Sequence, residues 1–144
     1  MEKPKYTTVK TYLKEVQFES PNTPAFFLGE ILHGEAVNQI SIDVQTKANI
    51  DLSLYIVELH ASIIQQLVSD GKDIMGLNVT YCSIIQITDS GIEADALRRL
   101  LTVHIPQDLY SPLRALVFAI STASGFPGIM MGDFDFSKRH FLVF

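Results

Sequence analysis

The sequence predicts an α+β fold, in which a four-stranded antiparallel sheet carries two C-terminal helices packed on one face. Two observations support this prediction. Apolar and polar residues alternate in four segments up to residue 87, whereas later apolar residues recur every three or four positions. Strands followed by helices are typical of a sheet that is covered on one face. With 144 residues, the chain is expected to form one domain over residues 1–144.

The first strand is predicted over residues 7–19, where two faces of different polarity alternate. The expected faces are Tyr12, Val16 and Phe18 on one side, and Glu15, Gln17 and Glu19 on the other. Glu15 and Glu19 would then lie about 13 Å apart on a polar face. Turn-forming residues at 20–24, including two prolines, end the strand.

An apolar segment follows this turn. It contains Phe26, Phe27, Leu28, Ile31 and Leu32, with little charge to cover them. The whole chain is 47 % hydrophobic and 19 % charged, which is more apolar than a monomer of this size needs. The excess predicts a subunit interface, a binding surface, or both.

Three further strands are predicted from the same alternation. The second strand, residues 39–45, has Ile40, Ile42 and Val44 on one face. The third, residues 52–65, is expected to be central and becomes more polar at Glu58 and His60. An Asp-Gly turn signal at residues 70–71 precedes the fourth strand, residues 77–87.

Helical spacing begins near residue 93. The first helix is predicted over residues 93–104 and is expected to end at Pro106, because proline lacks the amide that a helix needs. The second helix is expected to begin with Ser111 as its N-cap and Pro112 as its first residue. Gly125 marks its predicted end.

Composition disfavours several classes of protein. The net charge of −5 argues against binding to nucleic acid or anionic membrane, since both require clustered lysine and arginine. A single cysteine, Cys82, excludes an internal disulfide. The N-terminus lacks the apolar run of a signal peptide, and no window reaches the roughly 20 apolar residues of a membrane span. A cytoplasmic protein without direct membrane insertion is therefore expected.

No enzymatic motif is found, and no catalytic residue, cofactor or metal is expected. Glu58 and His60 could share a metal on one strand, although surface residues of a half-exposed strand are the favoured interpretation. Cys82 is interpreted as a small buried hydrophobic residue and not as a nucleophile. The sequence thus predicts a binding protein.

Two adjacent pairs leave alternatives open. Met130 and Met131 are interpreted as core residues, with an adaptable binding surface as the alternative. Arg98 and Arg99 are expected on a solvated helix face, with an acidic partner as the alternative.

Several short motifs give the chain a family resemblance. The most specific is FESPNTP at residues 18–24, and weaker matches are GFP at 125–127, DFDF at 133–136, Pro106 and Arg114. Together with the order of strands and helices, these motifs resemble SecB, the bacterial protein-export chaperone family.

The resemblance implies a SecB-like fold and a cytosolic homotetramer, a dimer of dimers, that binds unfolded preproteins and delivers them to the SecA motor. Glu15 and Glu19 match acidic positions that the family uses to bind SecA, and the strand pattern places both on the polar face. The client-binding groove is expected to include Phe26, Phe27, Ile31, Leu32, Ile40, Ile42 and Val44.

Two departures from the family bear on the partner. The family has a further acidic residue for SecA near the fourth strand, where this chain offers Asn78 or Thr80. The family commonly continues into a polar tail that contacts SecA, whereas this sequence ends with FLVF at residues 141–144. A SecB-like protein dedicated to one partner, for example a toxin-antitoxin chaperone without an export role, is therefore the alternative.

Overall fold

The computed structural model describes residues 5–28, 36–68, 71–89 and 91–138. Four strands form one antiparallel sheet in the order β1-β4-β3-β2. The strands are β1 (Tyr6–Glu19), β2 (Ala36–Asn49), β3 (Leu54–Leu67) and β4 (Asp73–Ile87). The predicted four-stranded antiparallel sheet is confirmed, with β3 in the interior as expected and β1 and β2 at the two edges.

The helical part differs from the prediction of two helices. Helix α1 (Ala94–Arg99) continues through a π-helical turn (Leu100–His104) into α2 (Ile105–Ala123). The predicted end at Pro106 is wrong, since Pro106 opens α2 directly after the π turn, and Pro112 lies inside α2 instead of starting a helix. The π-helix is rare and occurs mostly as single turns inside α-helices, where it interrupts the regular hydrogen bonding without ending the helix.

Tertiary packing explains why the helical run continues across both prolines. Its buried stripe is spaced by four residues: Leu101, Ile105, Leu109, Leu113 and Val117. This unbroken i, i+4 stripe packs against the sheet, and its burial outweighs the local preference of proline to end a helix.

The core lies between this helical run and the two interior strands. On the sheet side it contains Val57, Leu59, Ala61 and Ile63 of β3 and Leu77, Val79 and Ile85 of β4. We call this side of the sheet the helix face and the opposite side the outer face.

A bulge in β1 changes the predicted faces. The register with β4 shifts between Leu13 and Glu15, so Lys14 is an extra residue. Tyr12 therefore lies opposite Cys82 on the outer face, and the prediction that it shares a face with Val16 and Phe18 is wrong. The strand alternates regularly from Lys10 to Leu13 and again from Glu15 to Glu19, and the extra residue reverses the faces between the two parts.

The chain after α2 folds back over the sheet and the helix. Phe126 packs against three rings: Phe18 at a centroid distance of 6.5 Å, Phe26 at 5.8 Å and Phe27 at 5.0 Å. Gly125 has a φ of 93°, and a Cβ there would lie 3.2 Å from the Phe27 ring. The segment after β1 is thereby joined to the segment after α2.

Candidate partner and client surfaces

The outer face carries the two carboxylates that were predicted to bind SecA. Glu15 and Glu19 are both exposed on β1. Glu15 pairs with Thr80, which pairs with His60, which in turn pairs with Asp43, so one row crosses the whole sheet. A depression of about 120 Å³ lies along this row and is lined by Lys14, Glu15, Asp43, Gln45, Glu58, His60 and Thr80.

Glu58 is buried at the side of this depression. It is 7 % exposed and accepts a hydrogen bond of 2.7 Å from Lys14, and Lys47 lies 3.6 Å from the same oxygen. Burial disfavours its charge, but the hydrogen bond and charge of Lys14 with the charge of Lys47 outweigh this, so the pKa of the carboxyl is lowered. The interpretation of Glu58 as a surface residue is wrong.

The alternative of a shared metal gains no support from this arrangement. Two ammonium groups already occupy the carboxylate of Glu58. Within the described ranges, no group of three histidine, cysteine or acidic side chains is close enough to hold a metal ion. His60 remains half-buried in its row between Thr80 and Asp43.

Cys82 lies on the outer face and is fully buried. Burial and the negative charge of Glu58 raise the pKa of its thiol, and burial likewise raises the pKa of the neighbouring Tyr12 phenol. A protonated, enclosed thiol is a poor nucleophile. The interpretation of Cys82 as a small buried residue agrees with this position.

The predicted client residues of the β1–β2 connection are only partly within the described chain. Phe26 is half-buried against Phe126, Phe27 is 48 % exposed and Leu28 is 67 % exposed. Ile31 and Leu32 lie outside the described residues. The described part of the segment presents aromatic and aliphatic surface next to the end of α2.

The predicted client residues of β2 lie in one row on the helix face. Ile40, Ile42 and Val44 pair with Ile63, Ala61 and Leu59. Ile40 is 43 % exposed, while Ile42 and Val44 pack partly against the core. The three side chains therefore form the margin of the core along an edge strand.

Sequence reasoning missed a groove that continues this row. Thr46 and Ala48 follow Val44 on the same face, and a groove of about 290 Å³ opens between them and the helix. The alternation of residues 40 to 48 was the available signal, but the lining from α1 depends on packing distant in sequence. The groove is lined by Thr46, Ala48, Tyr55, Ala94, Leu97, Arg98 and Leu101.

The methionines at 130 and 131 and the arginines at 98 and 99 were the two pairs with alternative interpretations, and they lie in different environments. Met131 is buried, whereas Met130 is 82 % exposed beside the exposed Phe118, so the core interpretation is wrong for Met130. Arg98 is exposed and pairs with Asp95 at 3.1 Å, which fits the predicted solvated helix face.

Comparison with known proteins identifies the family. The family described as "Preprotein translocase subunit SecB" matches residues 1–140. The chain belongs to the SecB family. Among curated relatives, the "Protein-export protein SecB" of Anaplasma phagocytophilum is 27 % identical over 95 % of this chain and 91 % of its own length. The protein of the same name from Alkalilimnicola ehrlichii is 29 % identical, over 96 % of this chain and 69 % of its own length.

A solved structure shares the SecB-like fold. It is a SecB-like chaperone of Mycobacterium tuberculosis in complex with a ChAD peptide from an antitoxin, with a TM-score of 0.72. The two chains are 11 % identical, and the match covers 90 % of this chain and 91 % of that one, so the likeness shows the fold alone. The SecB family and the names of its protein-export relatives confirm the predicted chaperone role.

The described helices are too short or too polar to span a membrane. None of those in the described ranges combines the length and the hydropathy that crossing a bilayer requires.

Proposed function

We propose that this SecB-family chain binds non-native preproteins along β2 and the segment at 26–28, and delivers them to the SecA motor through the outer face. The proposed client-binding residues are Phe26, Phe27, Ile31, Leu32, Ile40, Ile42 and Val44, and the proposed SecA-binding residues are Glu15 and Glu19. The protein acts in the cytoplasm as a homotetramer, without catalytic groups or a cofactor.

This proposal rests on the placement of exposed carboxylates on one side of the sheet and exposed apolar side chains on the other. Glu15 and Glu19 are exposed on the outer face, whereas Phe27 and Ile40 expose apolar surface on the opposite side. A client held on the apolar side leaves Glu15 and Glu19 free for a second protein. The chain can therefore bind its client and its motor at the same time.

Binding of this kind does not depend on a particular client sequence. Each Å² of apolar client surface removed from water contributes roughly 25 cal/mol. Native proteins bury most such surface, whereas unfolded chains expose it, so non-native proteins are preferred. Several grooves on one oligomer would add avidity.

Exposed apolar surface elsewhere supports the proposed tetramer. On β1, the side chains of Val9, Leu13 and Val16 are 53 %, 43 % and 39 % exposed. The exposed side of α2 carries no charge over five positions: Ala115, Phe118, Ala119, Thr122 and Ala123. Subunit contacts would cover both surfaces and the free edge of β1. Sedimentation equilibrium should give the mass of four chains.

A chaperone dedicated to one partner is the second candidate. Asn78 and Thr80 occupy β4 where the resemblance leads one to expect an acidic residue for SecA. In addition, the SecB-like chaperone of similar fold was solved with an antitoxin peptide. In that case the groove would recognise one segment and would ignore unrelated unfolded chains.

Suppression of aggregation tests the proposal. The protein should prevent an unfolded client from aggregating at a one-to-one ratio, and unrelated unfolded peptides should compete for it. Phe27→Ser combined with Ile40→Ser should lower client affinity by about tenfold, since two apolar contacts are lost. Leu52→Ser, which alters another exposed apolar residue outside the groove, is the matched control. If the unmodified protein does not suppress aggregation, the general chaperone function is refuted. If it suppresses aggregation but unrelated peptides do not compete with the client, a chaperone dedicated to one partner is favoured.

A further inference from the structure

The outer face contains a row in which two isoleucines lie between two lysines. Ile84 of β4 pairs with Ile56 of β3, and their other neighbours are Lys10 of β1 and Lys47 of β2, respectively. The row therefore crosses all four strands. Because neighbouring strands lie about 4.8 Å apart, the Cα atoms of the two isoleucines are about 5 Å apart and those of the two lysines about 14 Å apart.

The isoleucines belong to an apolar patch outside the core. Ile56 and Ile84 are half-buried, and neither packs against the core on the helix face. Leu54 lies in the next row, opposite Gln86, and is also half-buried. Apolar surface that is bordered by charged residues is typical of sites that bind other molecules.

Three lysines give this end of the outer face an excess of positive charge. Lys14 and Lys47 share one carboxylate, that of Glu58, and their side chains are 42 % and 60 % exposed. Lys10 is exposed and forms no ion pair with any of the described residues. Apart from Glu58, the acidic side chains that the strands place on this face lie two rows or more away, at least about 13 Å. The patch is thus complementary to an acidic molecule, although the whole chain has a net charge of −5.

A helix suits this surface better than an extended segment. The interior strands β3 and β4 pair on both sides within the sheet, so an extended segment lying on the face would leave its own amides and carbonyls unpaired. A helix pairs these groups internally. Along a helix, residues i and i+4 are about 6 Å apart, and residues i−3 and i+7 about 15 Å apart. These spacings match the pair of isoleucines and the pair of lysines.

From these observations we propose that the row binds an amphipathic helix of a partner protein, which lies across the strands. Two apolar residues of the helix, spaced four apart, contact Ile56 and Ile84. An acidic residue about one turn beyond each of them pairs with Lys10 or Lys47. This site goes beyond the proposed function, because it holds a folded helix and does not involve Glu15 or Glu19.

A second copy of the chain fits this site less well. The helical run at 94–123 contains only two acidic residues, Asp95 and Asp108. Asp95 already pairs with Arg98 at 3.1 Å, so the run does not offer a free carboxylate on both sides of an apolar pair. An anionic membrane is also a poor partner, since the acidic side chains elsewhere on the outer face would repel it.

A designed peptide tests the site. The probe is a fluorescent, alanine-rich helical peptide with the pattern Glu-x-x-Leu-x-x-x-Leu-x-x-Glu. Fluorescence anisotropy at low salt should show binding to the unmodified protein, and changing both glutamates to glutamine should weaken it about fivefold. Moving the two leucines to the opposite side of the helix should weaken it about tenfold or more. No binding, or equal affinity of the three peptides, would overturn the proposal.

A charge exchange tests the contact with Lys10. Lys10→Glu should weaken the peptide about fivefold, and a peptide with lysine in place of one end glutamate should regain affinity to within about twofold. A peptide with lysine at the other end should not, because that end lies at Lys47. Arg99→Glu, the same reversal at an exposed residue of α1, is the matched control and should have no effect. Absence of rescue by either peptide would overturn the proposal.

Two further variants test the apolar contact. Ile56→Thr combined with Ile84→Thr keeps branched side chains that suit strands but removes apolar surface, so peptide affinity should fall about tenfold. Circular dichroism checks that the fold is retained. Ile40→Thr, at an exposed isoleucine of the helix face, is the matched control and should leave peptide affinity unchanged. Equal losses with the two proteins would overturn the proposal.

Two other results would assign the row to a different occupant and overturn the proposal. The first is a change in oligomeric mass with Ile56→Thr and Ile84→Thr while peptide affinity stays the same, which would indicate contact between copies of the chain. The second is binding to phosphatidylglycerol vesicles that Lys10→Glu abolishes, without binding of the peptide, which would indicate a lipid surface.

An unfolded client separates this site from the proposed function. A saturating amount of client should leave peptide affinity within about twofold, because the client is proposed to lie on the opposite side of the sheet. Displacement of the peptide by the client would overturn the separate site and keep the chaperone function. Peptide binding that depends on Lys10, without suppression of aggregation, would refute the chaperone function and keep this site.

Discussion

The two edge strands, β1 and β2, have the same length and flank the same interior strands, yet they present different chemistry. Strand β1 pairs with β4 through two register shifts, whereas β2 pairs with β3 without any. In β1, the shift at Lys14 brings this side chain to the outer face, where it reaches Glu58 beside Glu15. In β2, unbroken alternation keeps the apolar side chains in one row.

The difference shows that a bulge can change which side chains of an edge strand lie on each face of the sheet. Both strands contain apolar and charged residues in alternation. The extra residue in β1 places two charged side chains, Lys14 and Glu15, on one face in succession. A regular ladder cannot do this, because neighbouring residues point to opposite faces.

The largest expected effect comes from placing a charge on the helix face of each edge strand. Ile42→Asp in β2 should lower the free energy of unfolding by at least about 2 kcal/mol, because Ile42 packs partly against the core. Val16→Asp in β1, measured below the protein concentration at which subunits associate, should cost less than about 1 kcal/mol, since Val16 is 39 % exposed in the single chain. Urea unfolding measures both. Similar losses would show that the two edges are equally covered.

The second-largest expected effect is on the affinity for the SecA motor. Glu15→Lys combined with Glu19→Lys in β1 should weaken SecA binding by about tenfold or more, because two favourable charges become repulsive. Affinity for an unfolded client should stay unchanged. Calorimetric titration with SecA and with client measures each, and Lys10→Glu on β1 serves as a control of charge reversal. Parallel loss of both affinities would contradict the division between the two sides of the sheet.

A smaller effect is expected on acid stability. The pKa of Glu58 is lowered from its ordinary value of 4.5, so its carboxylate stabilises the fold above that value. This contribution should be lost as the pH falls from about 5 through the lowered pKa of the folded state. Glu58→Gln should therefore be less stable than the unmodified protein at pH 7, with a difference that shrinks at low pH. A constant difference between pH 7 and pH 3 would argue against the ion pairs.

The smallest expected effect separates the two lysines that contact Glu58, one from each edge strand. Lys14→Met should raise the pKa of Glu58 more than Lys47→Met does. The reason is that Lys14 donates a hydrogen bond of 2.7 Å, whereas Lys47 stands 3.6 Å away. Nuclear magnetic resonance titration of the side-chain carboxyl carbon measures both shifts. A larger shift with Lys47→Met would reverse the assignment of the stronger partner.

Much of the sheet could be predicted, because alternation is a local signal. It placed Ile40, Ile42 and Val44 in one row and put Glu15 and Glu19 on the polar face. The bulge at Lys14 could not be predicted, since nothing in the neighbouring residues indicates that two of them will oppose one. Tyr12 was consequently assigned to the wrong face.

The helical part was misread because proline was given more weight than the apolar spacing. Pro106 and Pro112 are strong local signals for helix ends, whereas the stripe from Leu101 to Val117 becomes decisive only through its contact with the sheet. The burial of Glu58 was missed for a similar reason. Its two lysine partners come from strands at opposite edges, and only the strand order brings them together.

The single helical run has a geometric consequence for the amount of apolar surface that stays uncovered. At 1.5 Å per residue, residues 94–123 span about 45 Å, which matches the length of the strands but provides only one cylinder about 10 Å wide. Four strands make a layer nearly twice as broad. Two helices side by side could cover this layer, whereas one helix covers mainly its middle, and side chains on both edge strands, such as Val16 and Ile40, stay partly exposed. In the proposed tetramer, neighbouring subunits would cover part of this exposed margin.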